Sequence, residues 1–62
     1  MYYIVELMSS VKVKVVDEAP DIEYARYKAE RHSARTGLTV ELQTELGRVI
    51  EVIDMWREHA RI

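Results

Sequence analysis

The chain has 62 residues, no cysteine and a formal net charge of −2, with 48% hydrophobic and 32% charged residues. That size bounds it to a single domain, 1–62, with a shallow core, and it excludes disulfide or thiolate–metal staples. The acidic balance argues against a general nucleic-acid binder, no apolar run nears the roughly 20 residues of a membrane span, and the first residues lack the positive region of a signal peptide, so cytoplasmic residence is expected.

Residues 2–8 (Tyr-Tyr-Ile-Val-Glu-Leu-Met) and 11–16 (Val-Lys-Val-Lys-Val-Val) are rich in β-branched and aromatic side chains. Val11, Val13 and Val15 alternate with Lys12 and Lys14, the pattern of a half-buried strand. Ser9 and Ser10 form the natural turn. A two-residue loop pairs Met8 with Val11, Glu6 with Val13 and Ile4 with Val15. One face then carries Tyr2, Ile4, Met8, Val11, Val13 and Val15, interrupted by Glu6. The other carries Tyr3, Val5 and Leu7 beside Lys12 and Lys14. Ser-Ser lacks the φ > 0 preference of Asn-Gly, so the register here is weakly specified.

Residues 17–21 (Asp-Glu-Ala-Pro-Asp) stop this strand, because Pro20 cannot donate to a ladder. Asp21 is a good N-cap, so a helix is predicted from Ile22 to about Thr36, with Gly37 as its left-handed C-terminal residue. At helical spacing Ile22, Ala25, Ala29, His32, Ser33 and Thr36 share one stripe. These side chains are mostly small, so the helix should lie close to whatever it covers. Tyr24, Tyr27, Lys28, Arg31 and Arg35 point away from that stripe.

Residues 38–53 admit two readings. As a hairpin turning at Glu45-Leu46-Gly47, they pair Leu42 with Ile50 and Val40 with Val52, and Gly47 supplies the positive φ of the turn. The cost is Glu41 opposite Glu51. As a helix, they align Leu42, Leu46, Val49, Ile53, Trp56 and Ala60 in a coiled-coil-like seam. That reading puts Gly47 mid-helix, at about 1 kcal/mol against alanine. Residues 54–62 read as helical either way. The expected fold is therefore α+β: a ββαββ antiparallel sheet with one helix packed on one face and a short C-terminal helix. The alternative is ββαα with a long C-terminal helix.

No catalytic constellation appears. His32 and His59, the only histidines, lack neighbours at ligand spacing, and His32 reads as a partly buried helix residue bonded to a carbonyl or water. Ser33 diverges from His32 on a helix, and Ser9 and Ser10 look like turn residues, so no serine has a base in reach. Acid pairs such as Asp17/Glu18 and Glu41/Glu45 read as solvated surface. No metal site, cofactor or phosphate-binding glycine loop is indicated, and an enzyme is not expected.

Two features point instead to binding. Tyrosine and arginine dominate interface hot spots, which makes Tyr24, Tyr27, Lys28, Arg31 and Arg35 the candidate partner-binding face. The same face, extended by Lys12 and Lys14, would also suit nucleic acid. A four-stranded sheet with one helix leaves a second face, expected to carry Tyr3, Val5, Leu7, Val49 and Ile53 with Trp56 nearby. That surface is the candidate for self-association into a homodimer.

The order of Tyr-Tyr-Ile-Val-Glu-Leu, a valine-rich strand, an alanine-spaced helix ending Ala-Arg-Thr-Gly, then Leu-Thr-Val-Glu-Leu and Gly-Arg-Val-Ile-Glu-Val resembles small phage-encoded accessory proteins, some anti-CRISPR proteins among them. The resemblance lies in the layout of nearly the whole chain, and no functional residue carries over. It implies a protein that binds and blocks a host macromolecule. The favoured reading is a non-enzymatic protein-binding module; the alternative is a small nucleic-acid-binding regulator.

Overall fold

The computed structural model describes residues 1–8 and 11–54, with all of their side chains except those of Lys12 and Val13. Four strands and one helix follow in the order β1 (Tyr2–Met8), β2 (Val11–Ala19), α1 (Ile22–Thr36), β3 (Val40–Thr44) and β4 (Val49–Ile53). The strands form one antiparallel sheet in the order β2-β1-β3-β4. This is the expected ββαββ arrangement. Residues 40–53 are a hairpin, so the long-helix alternative is not the one the chain adopts. Of the helix predicted over 54–62, Asp54 has no helical structure, and the rest, Trp56 included, lies outside the described residues.

The helix is specified at both ends by local chemistry. Asp21 has extended backbone angles, and its carboxylate accepts the Tyr24 N–H at 3.0 Å. This satisfies one of the amides that a helix start leaves without a partner. At the other end Gly37 takes φ 75° and donates its N–H to the Ser33 carbonyl at 2.9 Å. A side chain at that φ would be strained, which is why glycine stops the helix there.

The β3–β4 hairpin follows its predicted turn, and neither hairpin keeps its predicted register; Ser9 and Ser10 lie outside the described residues. Gly47 has φ 83°, and its N–H donates to the Thr44 carbonyl at 2.9 Å, as the three-residue turn requires. Beyond the turn an irregularity between Leu42 and Gln43 shifts the pairing by one. Val40 meets Ile53, Glu41 meets Val52 and Leu42 meets Glu51. The shift separates Glu41 from Glu51 and turns Ile53 toward the helix. In the first hairpin Met8 pairs with Val11 as expected, but two register shifts follow. Ile4 faces Asp17 rather than Val15, and Glu6 faces Lys14. Strand β2 also runs to Ala19 instead of stopping at residue 16. Asp17 and Glu18 do not break it, because they belong to an edge strand where charge is tolerated and even protective.

These registers sort the side chains. Directly opposed residues share a face, so the helix side carries Asp17–Ile4–Leu42–Glu51 in one row and Lys14–Glu6–Val40–Ile53 in the next. The first row is apolar at its centre and charged at both edges; the second is charged on β2 and β1 and apolar on β3 and β4. Ile4, Leu42 and Val40 are fully buried there, with Ile53 5% exposed. Each such side chain contributes about 2 kcal/mol of transfer free energy. Against them α1 lays Ala25, Ala29 and Ser33, all fully buried and spaced one turn apart. Small side chains let the helix axis approach closely, as their spacing predicts. Thr36, expected on the same stripe, is exposed.

Candidate functional site

The flank of α1 beside β2 gathers all five residues expected to bind a partner. Tyr24 and Tyr27 are each 51% exposed. Their rings stack with centroids 6.4 Å apart and planes 14° from parallel. Lys28 places its Nζ 4.8 Å from the Tyr24 ring centre, and the Arg31 guanidinium lies 5.7 Å from that of Tyr27. Arg31 also donates through Nη1 to the Tyr27 hydroxyl at 3.3 Å. Aromatic faces attract cations through their quadrupoles, so the two pairs pre-order each other. One turn of helix separates each cation from its ring, the spacing at which side chains meet.

This flank does not project straight into solvent. Lys28 bends toward β2, donating to the Asp17 carboxylate at 3.1 Å and to the Glu18 carbonyl at 3.2 Å. The Asp17 carboxyl is held below its ordinary range, first by the Glu18 backbone N–H donating to it and then by Lys28. Val16, the residue left over between Asp17 and Val15 where the register shifts, sits beside it. The result is a groove of about 310 Å³ between the Val16–Asp17 stretch of the sheet edge and the Tyr24, Arg31 and Arg35 flank of the helix.

His32, which also lines the groove, belongs to a pair that the sequence alone did not reveal. His32 Nε2 and Glu6 Oε2 are 2.8 Å apart, with side chains 15% and 11% exposed. Arg35 aims its Nη2 at the other ring nitrogen, Nδ1, at 3.4 Å. The tautomer in which both contacts are hydrogen bonds has Arg35 donating to Nδ1 and Nε2–H donating to Glu6. His32 therefore bonds to a carboxylate, not to the carbonyl or water expected. The signal was present in the sequence: Glu6 interrupts the core face of its strand, and His32 is the one imidazole on the buried stripe of the helix. Two polar groups on facing buried surfaces call for each other.

The cations of the flank are unequally engaged. Lys28 is tied to Asp17, and Lys14, which was expected to extend the patch, stands opposite Glu6. Among the described residues Arg31 and Arg35 form no ion pair with any carboxylate; their side-chain partners are a phenol and an imidazole. The opposite flank differs. There Arg26 donates to Glu51 of β4 at 2.9 Å, and Glu23 and Glu30 lie near enough to act on it.

The face of the sheet away from α1 carries the rows Glu18–Tyr3–Gln43–Val49 and Val15–Val5–Glu41–Val52. Tyr3, Val5 and Val49 belong to these rows as expected, Val5 almost fully buried and Val49 41% exposed. Leu7 is half-buried. Ile53 does not belong to this face, because the register shift places it in the core under α1. A second hollow, of about 420 Å³, lies at the β3–β4 turn beside Met1, Tyr2 and the exposed Leu46. Its carboxylate, Glu45, is taken by the Met1 amine at 2.6 Å and held below its ordinary pKa range by that contact.

Among the described residues no group of three or more His, Asp or Glu side chains could hold a metal ion, and no helix is long and apolar enough to cross a membrane. No family model, curated protein or solved structure matches the chain.

Proposed function

We propose that this chain is a non-enzymatic protein-binding module, resident in the cytoplasm, that acts by occupying a surface of a partner protein with the β2 flank of α1. The observation that supports this reading is the Tyr24–Tyr27 stack with a cation over each ring. Rigid aromatic side chains with partly satisfied guanidiniums are the composition of interface hot spots. They give up little conformational entropy on binding, because their mutual contacts already restrict them. Blocking a host macromolecule, as the phage-protein resemblance implies, is one form such occupation would take.

The test is to pan a displayed random-peptide library against the immobilised domain and map the recovered ligands by amide chemical shifts. Binders should perturb Tyr24, Tyr27 and Arg31. Replacing those three residues by alanine should weaken them at least tenfold while leaving the amide spectrum of the sheet unchanged. Binders that ignore the triple variant would overturn the site assignment. The sedimentation mass of the same sample decides self-association: a doubled mass that reverts to monomer on Val49→Lys would assign the outer sheet face around Tyr3 and Val49 to a homodimer, with Val5 buried beneath it.

A further inference from the structure

We infer that the groove between α1 and β2 takes an acidic segment of the partner, with two carboxylates bound by Arg31 and Arg35. This rests on the protein-binding reading above and names the chemistry of the partner. The argument begins from which charges the fold consumes. Lys28 closes on Asp17 and His32 on Glu6, so each is matched within the molecule. Arg31 and Arg35 are exposed and, among the described residues, meet no carboxylate; their partners are the Tyr27 hydroxyl at 3.3 Å and a His32 ring nitrogen at 3.4 Å. A guanidinium gains most from a carboxylate that accepts two parallel N–H bonds. The Tyr27 hydroxyl and the His32 ring nitrogen are each a single long contact, a weak substitute that a carboxylate would displace.

Spacing narrows the occupant further. Arg31 and Arg35 stand one helical turn apart, about 6 Å between their side-chain origins. Residues i and i+2 of an extended peptide project on the same side about 6.6 Å apart. A strand with acidic residues at alternate positions therefore presents its carboxylates in step with the two guanidiniums. The groove, at about 310 Å³, holds a few side chains and no more. The exposed rings of Tyr24 and Tyr27 offer apolar contact to the residues between.

Charge along the rim argues for a short acidic segment over a nucleic acid. Asp17 lines the β2 side of the groove. Two free guanidiniums can hold two carboxylates. A continuous polyphosphate would run from them into Asp17, on a chain whose net charge is already −2.

The experiment titrates the whole chain with a blocked Glu-Val-Glu-Val-Glu peptide at low salt and follows the Nε–Hε signals of both arginines. The Gln-Val-Gln-Val-Gln analogue and an oligothymidylate serve as comparators. The glutamate peptide should move the Arg31 and Arg35 signals and saturate. The glutamine analogue should bind at least tenfold more weakly, and Arg31→Gln and Arg35→Gln should each cost roughly fivefold. Arg26→Gln, on the other flank, should change nothing. Equal binding of the two peptides would overturn the acidic assignment and leave the protein-binding reading standing on the tyrosines. Failure of the glutamate peptide to move either arginine would overturn it equally. Saturable oligothymidylate binding at the same residues, with a steep salt slope, would overturn both.

Discussion

The two flanks of α1 are built on the same plan and finished differently. Each sends one long cation across to a carboxylate at a sheet edge: Lys28 to Asp17 on β2, Arg26 to Glu51 on β4. Those carboxylates are the two ends of a single row, Asp17–Ile4–Leu42–Glu51, whose middle is the core. The helix is thus laid on an apolar stripe and clamped at both sides. On the β4 flank the account then closes, with one cation among Glu23, Glu30 and Glu51. On the β2 flank two guanidiniums remain after the clamp is made. Clamping α1 needs one cation per side, so Arg31 and Arg35 are surplus to the architecture. Surplus exposed charge beside ordered aromatic rings is what an interface would require.

Lifting the helix is the largest way to break this comparison, because both clamps depend on close approach. Ala29 is fully buried at the centre of the contact stripe. Ala29→Leu would overpack it and cost about 3 kcal/mol, measured as a lowered urea midpoint at unchanged slope. Both flanks should loosen together, seen as loss of the shift differences of Lys28 and Arg26. A smaller cut falls on one flank alone. Glu6→Ala strips His32 of its carboxylate in a site where both are nearly buried, at about 2 kcal/mol. Glu6→Gln, which keeps an acceptor, should cost less than half of that. Chemical denaturation of the two variants side by side checks the difference.

Much of this contrast was legible in the sequence, and the rest hidden for identifiable reasons. The helix and its caps follow from Asp21, Gly37 and the alanine spacing, all local signals. The β3–β4 hairpin follows from Gly47, whose φ of 83° a helix interior does not allow. The five residues expected to bind a partner share a flank because helical periodicity puts them there. What the sequence hid was register. One slip flips every side chain of a strand, and irregularities between Ile4 and Val5, Glu6 and Leu7, and Leu42 and Gln43 are not encoded by any single residue type. They moved Ile53 from the expected outer face into the core and brought Asp17 under Lys28. With Asp17 displaced from the predicted loop into a strand, the groove itself was invisible. The Arg26–Glu51 clamp was missed for the same reason.

The clamp on the β2 flank can be weakened by acid. The folded state holds the Asp17 carboxyl below its ordinary value of 3.8, through the Glu18 N–H and then Lys28. A carboxyl with a depressed folded pKa binds fewer protons folded than unfolded. Its contribution is therefore complete above the unfolded value and is lost as pH falls through the folded one. Asp17 is 44% exposed in its side chain, so solvent screens the pair and the contribution is about 0.5 kcal/mol. Stability of wild type and Asp17→Asn should differ by that amount at neutral pH and converge below pH 3.8. A difference that persists in acid would mean that Asp17 acts through shape and not charge.

Removing the surplus charge should change stability least of all, and that near-zero result is the sharpest test of the comparison. Arg31→Gln with Arg35→Gln deletes two like charges one turn apart, relieving about 0.3 kcal/mol of repulsion. It also removes a cation from the last turn of α1, where Arg35 faces the negative end of the helix dipole, at a cost of about 0.3–1 kcal/mol. The lost hydrogen bonds, 3.3 and 3.4 Å long, are weak and exposed. These small terms oppose one another, so the double variant should match wild type within about 0.5 kcal/mol in urea. A loss of 2 kcal/mol or more, on the scale of a buried pair, would mean that the fold itself uses the guanidiniums. The excess on the β2 flank would then be structural, and the distinction between a flank that closes and a flank that binds would fail.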